Sequence, residues 1–266
     1  MCIFSGPVRE VSKTKIFARL EDGVQHLAYA MNFSTDNPVA MILPIPIKNG
    51  RRPEFVNLEN YPELFEDIAK AFPEPVSRGL GMRKSFSFCV EDTLPVENVG
   101  SFEASFVPSL KDFSRLDPRF RLPAGTEDAM TQLYKSFGFV VFQLKTGDDI
   151  KAHPMAFNFE TSEMESVFYP TVHVHHGKME DQEHFDHVLY LQMPPGMACV
   201  SDQLEASKGP LGNYVSLNKL EIDIGDADVE PPKPLLRNAI AYRQKVQSQH
   251  PNRDIRINLA KVGCPA

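Results

Sequence analysis

Hydrophobic and polar residues alternate through the first third of the chain. Residues 24–33, VQHLAYAMNF, carry an apolar side chain at every odd position from 27, which is typical of a half-buried strand. Residues 14–21 and 39–47 are strand-like as well, and the turn signals EDG and STDNP separate the three segments. The pattern predicts three antiparallel strands in a meander. Since Pro44 and Pro46 remove two hydrogen-bond donors, we expect the third strand at an edge or leaving the sheet there.

Helical spacing occurs in three places. Apolar residues recur every three or four positions in residues 61–72, and Thr126 is a suitable N-cap for a second helix. A last helix is predicted over residues 235–246. Further strands are predicted over residues 84–91, 100–107, 137–145, 155–161 and 214–224.

The composition favours sheet over helix. Among 266 residues there are 22 prolines and no tryptophan, which is typical of a chain divided into many short elements, and 42% hydrophobic residues suffice for a large core. We therefore expect one α+β domain over residues 1–266, built on an antiparallel sheet with a few short helices.

Charge and cysteine usage narrow the classes of partner. The formal charge is -7, and no run of lysine or arginine exceeds two, so a nucleic-acid partner is not expected. No stretch approaches the roughly 18 apolar residues of a membrane span, and the N-terminus lacks a secretory pattern. Four cysteines without a CxxC pair fit free thiols in a reducing compartment. We expect a cytoplasmic protein without membrane contact.

The densest chemical signal is the segment 173–187, HVHHGKMEDQEHFDH, which contains five of the eight histidines. Two strand-like runs, residues 166–176 and 184–192, flank a polar segment that could reverse the chain, so a hairpin is predicted. Pairing Val174 with Phe185 would bury the apolar residues of both runs on one face.

That register would gather four ligand-type side chains on the opposite face: His173, His175, His184 and Asp186. Imidazole and carboxylate ligands of this kind suit a divalent transition metal, zinc or iron above all. Glu180 or Glu183 would then be the general base that acts on a metal-bound water, in a hydrolase or an oxygenase. The plain alternative is a solvated hairpin face, and for His187, which points inward in this register, a core position is the favoured interpretation.

Several segments resemble known families. The succession from the N-terminal strands to AMILPIPI and the later dipeptide Tyr169–Pro170 resembles a family of uncharacterised bacterial proteins, over residues 1–175. This resemblance implies a strand meander ending in a PxP strand, and it carries over no catalytic residue. The spacing of His173, His175 and Glu180 is similar to part of the cupin metal motif, although the glycine before the first histidine and the second motif are missing.

The N-terminus resembles that of bile-acid and penicillin amidases of the N-terminal nucleophile class. Removal of Met1 would leave Cys2 with a free α-amine, which could accept the proton of its own thiol. The resemblance implies that Arg19 matches the family's strand arginine, whereas Glu21 replaces the aspartate expected two residues later. A packed thiol is the ordinary interpretation of Cys2.

Three functions stay open at this stage. The first is a metal-binding protein with hydrolase or oxygenase activity, which would take a small-molecule substrate. The second is an amidohydrolase that depends on Cys2. The third is a binding or scaffold protein without turnover.

Overall fold

The computed structural model describes residues 3–73, 96–120, 122, 126–151, 153–174, 178–193, 197–199, 203–216, 235–236 and 238–261. Strands dominate this part of the chain, and nearly all of the strand pairs are antiparallel. A sheet-rich antiparallel fold, as predicted, is therefore confirmed.

The strands are β1 (Ile3–Phe4), β2 (Glu10–Glu21), β3 (Val24–Thr35), β4 (Val39–Ile45), β5 (Glu54–Val56), β6 (Val96–Val99), β7 (Phe102–Val107), β8 (Gly138–Leu144), β9 (Gly147–Lys151), β10 (Met155–Glu160), β11 (Ser166–Tyr169), β12 (Gln182–Gln192), β13 (Met197–Cys199), β14 (Glu205–Ala206), β15 (Ala241–Pro251) and β16 (Ile255–Lys261). Two α-helices, α1 (Leu64–Lys70) and α2 (Thr126–Leu133), and three short 3-10 turns, Leu110–Arg115, Pro118–Phe120 and Leu211–Asn213, connect them.

These strands form three sheets. The largest has the order β14-β15-β12-β2-β3-β10-β5, with β9 also on β3, and only its β12–β2 pair is parallel. A five-stranded sheet has the order β1-β4-β8-β7-β6, and a small sheet has the order β11-β16-β13.

The hydrophobic core lies in three layers because both large sheets are covered on both faces. The central layer joins β2, β3, β10 and β12 to β4 and β8 through residues such as Tyr29, Leu43, Phe142 and Phe157. Helix α1 packs on the other face of the largest sheet. Helix α2 and the 3-10 turn Leu110–Arg115 cover the outer face of the five-stranded sheet.

The two predicted helices over residues 61–72 and from Thr126 are confirmed as α1 and α2. The three-stranded meander is wrong in its third strand, because β4 pairs with β1 and β8 in the other sheet. All seven residues of β4 are buried, so the strand needs covering on both faces, and the centre of the five-stranded sheet provides it.

The helix predicted over residues 235–246 is wrong as well. From Ala241 the chain is strand β15, which pairs with β12 along its whole length. Pairing with a long neighbouring strand overrides the weak helical spacing here. Residues 84–91 and most of 214–224 lie outside the described part of the chain.

Candidate functional site

Strand β12 carries the second half of the histidine-rich segment, and its partners overturn the predicted hairpin. One edge of β12 pairs in parallel with β2 and the other pairs antiparallel with β15. Strand β15 covers one edge of β12 along its whole length, and β2 covers the other edge from His187 to Gln192. Residues 171–174, which the structure describes, form no strand pair with β12. The pairing of Val174 with Phe185 is wrong, since Val174 forms an isolated bridge with Ile3 instead.

His173 lies across the face of β12 that points into the central core. Its ring is 1% exposed and stacks on Phe185 with centroids 4.5 Å apart, and on His187 at 5.5 Å. Phe185 also meets the ring of His250 at 5.8 Å. We call His173, Phe185, His187 and His250 the histidine cluster. Its members fill space around one phenyl ring.

His187 is a core residue, as predicted. It is 2% exposed, and its Nδ1 accepts a hydrogen bond of 3.2 Å from the backbone N–H of Asp186, which requires an unprotonated Nδ1. Burial lowers the pKa of His187, and the neighbouring His173 lowers it further. The imidazole is therefore neutral at physiological pH.

The predicted ligand set does not share one face. His184 is exposed on the side of β12 opposite Phe185 and His187, because side chains alternate along a strand. Asp186 lies on that side too, and its Oδ2 accepts a hydrogen bond of 2.8 Å from the backbone N–H of Lys13. His173 packs on the other side, and His175 lies outside the described residues. A single ion could not bind His173 and His184 together.

Of the two predicted general bases, Glu183 lies beside His173, whereas the side chain of Glu180 is exposed. Glu183 Oε2 is 3.9 Å from His173 Nδ1, and Glu183 pairs in register with His250. The Glu180 side chain is exposed, and its carbonyl accepts a hydrogen bond from Asn252. Within the part of the chain that the structure describes, no three histidine, cysteine or acidic side chains are grouped as a metal site.

Two side chains of the β15–β16 turn, Asn252 and Asp254, hold residues 171–174 over the sheet. Asn252 accepts from the N–H of His173 at 2.7 Å and donates to its carbonyl at 2.8 Å. Asp254 accepts from the N–H groups of Thr171 and Val172 and from the hydroxyl of Tyr134. Burial raises the pKa of Asp254, which these hydrogen bonds oppose. The position of His173 is thus fixed through its backbone.

Arg19 is buried, which is uncommon for an arginine. It is 2% exposed and pairs with Glu21. In register it lies between Gln192 on β12 and His26 on β3, and His26 lies beside Asn158 on β10. A polar row therefore crosses four strands. Cys2, its predicted catalytic partner, lies outside the described residues.

Within this row His26 is held neutral. Its Nδ1 lies 2.7 Å from Asn158 Oδ1, so Nδ1 carries the hydrogen. Burial and the charge of Arg19 lower the pKa of His26 to about 3. At the end of the row, Gln192 exchanges hydrogen bonds with the backbone of Leu236, so it fixes a neighbouring segment to the sheet.

A cleft opens at one end of the five-stranded sheet, where β4 ends, β7 ends and β8 begins. Its volume is about 320 Å³. The lining residues come from the loops at these three strand ends and from the loop after β10: Ile47, Asn49, Gly50, Pro108, Ser109, Lys135, Ser136, Phe137 and Ser162. Because adjacent strands are antiparallel, their ends meet at one edge and bring the loops together.

Hydrogen bonds and glycine positions hold these loops in place. Ser162 donates both its N–H and its hydroxyl to the carbonyl of Pro46, and Asn49 and Gly50 have φ of 54° and 66° in a tight turn. A Cβ at Gly138 would lie 2.6 Å from Ile47 Cδ1 and 2.8 Å from Phe106 Cε2, so a larger residue at the base would displace these side chains. No sequence motif indicates this cleft, because its lining residues are spread over more than a hundred positions of the chain. The turn dipeptide Asn49–Gly50 could have indicated one of its walls.

Comparisons with known proteins add a structural likeness only. No family model and no curated protein matches the chain. A crystal structure of baculovirus P35 is similar over 98% of this chain and 100% of that chain, with 14% identity and a TM-score of 0.45. A mutated baculovirus P35 after caspase cleavage matches over 93% and 99%, with 13% identity and a TM-score of 0.47. The caspase-8/P35 complex matches over 93% and 96%, with 12% identity and a TM-score of 0.45.

Among the described residues, no helix combines the length and the apolar character that crossing a bilayer demands.

Proposed function

We propose that the protein is a binding protein whose small-molecule ligand occupies the cleft at the end of the five-stranded sheet. The observation that carries the proposal is the composition of the lining, where an apolar floor and a few polar groups share a concave volume of about 320 Å³. Ligand pockets of proteins are typically concave, largely apolar and fitted with a small number of orienting polar groups.

The rigidity of the surrounding strands supports this proposal. Ile45 pairs with Gly138 and Val107 pairs with Phe139, so the loops that form the cleft leave from hydrogen-bonded, buried positions. When a ligand binds to loops that are already ordered, the entropy cost of ordering them is small, so less of the binding free energy is lost.

The histidine cluster is the other candidate location for a site, and two of its rings have a packing role. His173 and His187 are buried against Phe185 and are accounted for as packing groups. His173 and His187 therefore have a packing role that requires no substrate.

Ligand-observed NMR tests the proposal on the full chain. A mixture of neutral, cationic and anionic compounds of one aromatic ring each is added, and saturation transfer identifies those that bind. A Ser136→Trp variant places a large side chain at the mouth of the cleft and should abolish the signal, while the thermal midpoint stays that of the wild type.

The matched control is Ser114→Trp, at an exposed position outside the cleft lining. It should leave binding unchanged. The proposal is wrong if no compound binds the wild type at millimolar concentration, or if the bound compounds bind the folded Ser136→Trp variant equally well.

A further inference from the structure

We infer that the ligand of the cleft is a small organic anion, in which a carboxylate or phosphate group is attached to an apolar ring. This inference rests on the proposed binding function and names the class of ligand. It follows from the charge, the hydrogen-bond donors and the apolar floor of the lining.

The charge of the lining is positive. Lys135 lies on the exposed turn between α2 and β8, and among the described residues no acidic side chain pairs with it. The acidic residues that adjoin the lining are each engaged by an arginine, in the pairs Glu160–Arg51, Asp112–Arg115 and Glu163–Arg256. The positive charge of Lys135 is therefore not offset locally, and an entering anion would meet an attractive field.

Hydrogen-bond donors accompany this charge. Ser136 follows Lys135 directly, and Asn49 lies on the opposite loop. In the described part of the structure their side chains make no hydrogen bond to other protein groups, so the Ser136 hydroxyl and the Asn49 amide can donate to an oxyanion. The hydroxyls of Ser109 and Ser162 already donate, to Asp112 and to the Pro46 carbonyl respectively.

The floor of the cleft requires an apolar body on the ligand. Ile47, Pro108 and Phe137 provide this floor, and the Phe137 ring is held edge-on against Phe168 with centroids 5.5 Å apart. Aromatic rings favour edge-to-face or offset contact with another ring, so the exposed part of Phe137 suits a planar ligand. A free inorganic anion would leave this surface uncovered.

The test compares three probes on the full chain: phenyl phosphate, benzoate and the neutral benzyl alcohol. Each is titrated while amide chemical shifts are followed. We expect both anions to bind more tightly than benzyl alcohol, with the largest shifts in the loops at residues 47–50, 108–109 and 135–137.

Two lysine variants locate the charged contact. Lys135→Gln removes the positive charge from the cleft and should weaken the binding of both anions at least about tenfold, since hydrogen bonds to charged groups are the stronger ones. Binding of benzyl alcohol should stay the same. Lys145→Gln is the matched control, because Lys145 is exposed just beyond the opposite end of the same strand, β8.

The outcomes separate the two proposals. If benzyl alcohol binds as tightly as the anions and Lys135→Gln has no effect, the anion inference is wrong and the binding function stands. If Lys145→Gln weakens binding as much as Lys135→Gln, the contact is unspecific and the inference is overturned. If no probe shifts any cleft residue, and no compound in the saturation-transfer screen binds either, both proposals are overturned.

Discussion

The histidine cluster and the cleft use polar side chains in opposite ways. In the cluster, His173 and His187 are 1% and 2% exposed; the His173 ring stacks on Phe185, and the His187 ring packs against it at a tilt. In the cleft, Lys135 and Ser136 are exposed, whereas Phe137 is half-buried and Ile47 is buried. Two histidines of the most reactive segment are buried in the core, whereas the polar residues of the cleft lie at the surface.

The difference arises from where each region lies relative to the sheets. Strand β12 is an interior strand, so one face of the histidine segment must enter the core whatever residues it carries. The cleft residues belong to loops, which lie at the surface because backbone groups without partners need water. Position in the fold, more than residue type, decides which polar groups can meet a ligand.

The largest expected effect is a difference in stability between a substitution in the histidine cluster and one in the cleft. Phe185→Ala should lower the free energy of unfolding by about 3–5 kcal/mol, because it leaves a cavity among buried rings. Phe137→Ala should cost only about 1–2 kcal/mol, since Phe137 is half-buried at the cleft. Urea denaturation of both variants measures the difference. Equal losses would contradict the distinction between a packed cluster and an open cleft.

A second prediction concerns how His173 is held. Asn252→Ala removes hydrogen bonds to both backbone groups of His173 and to the Glu180 carbonyl, and it leaves the His173 groups buried without them. We expect a loss of about 2–3 kcal/mol. The exposed Asn98 provides the control, and Asn98→Ala should change stability by less than about 0.5 kcal/mol. If Asn252→Ala lowers the free energy of unfolding by much less than this, the contacts between the rings suffice to hold the histidine cluster in place.

A third prediction uses pH. Because the pKa of His26 in the folded protein is about 3 and that of an unfolded histidine is about 6.5, the unfolded chain binds a proton between these values that the native protein does not. Stability must therefore fall as the pH falls below 6.5. His187, whose pKa is also lowered by burial, acts in the same direction. We expect a total loss of about 3 kcal/mol between pH 6.5 and pH 5, about half of it from each histidine.

Chemical denaturation across this pH range measures the slope, and variants assign it. His26→Gln should flatten the slope by about half, whereas His184→Gln, at an exposed position, should leave it as in the wild type. An unchanged slope in His26→Gln would show that His26 is not held neutral in the native protein.

The sequence predicted individual strands and helices better than it predicted which strands pair with each other. The alternation of residues 24–33 and the helical spacing of residues 61–72 correspond to β3 and α1, because local burial determines both patterns. The pairing of β12 with β15 could not be predicted, because β15 lies about fifty residues further along the chain and the spacing of its apolar residues resembles that of a helix. The burial of Arg19 was missed for the same reason, because it depends on strands that flank β2 from distant parts of the sequence.

The smallest expected effect is at His184, where it tests the predicted metal ligands directly. The ring is exposed on the face of β12 opposite the histidine cluster, so His184→Ala should change stability by less than about 0.5 kcal/mol. Equimolar zinc should shift the thermal midpoint of the wild type and the variant equally, because His173 and His184 cannot bind one ion together. Elemental analysis of protein prepared without a histidine tag provides the second readout. Near-stoichiometric zinc that His184→Ala and Asp186→Asn each remove would restore the metal site on the exposed face, with ligands other than His173.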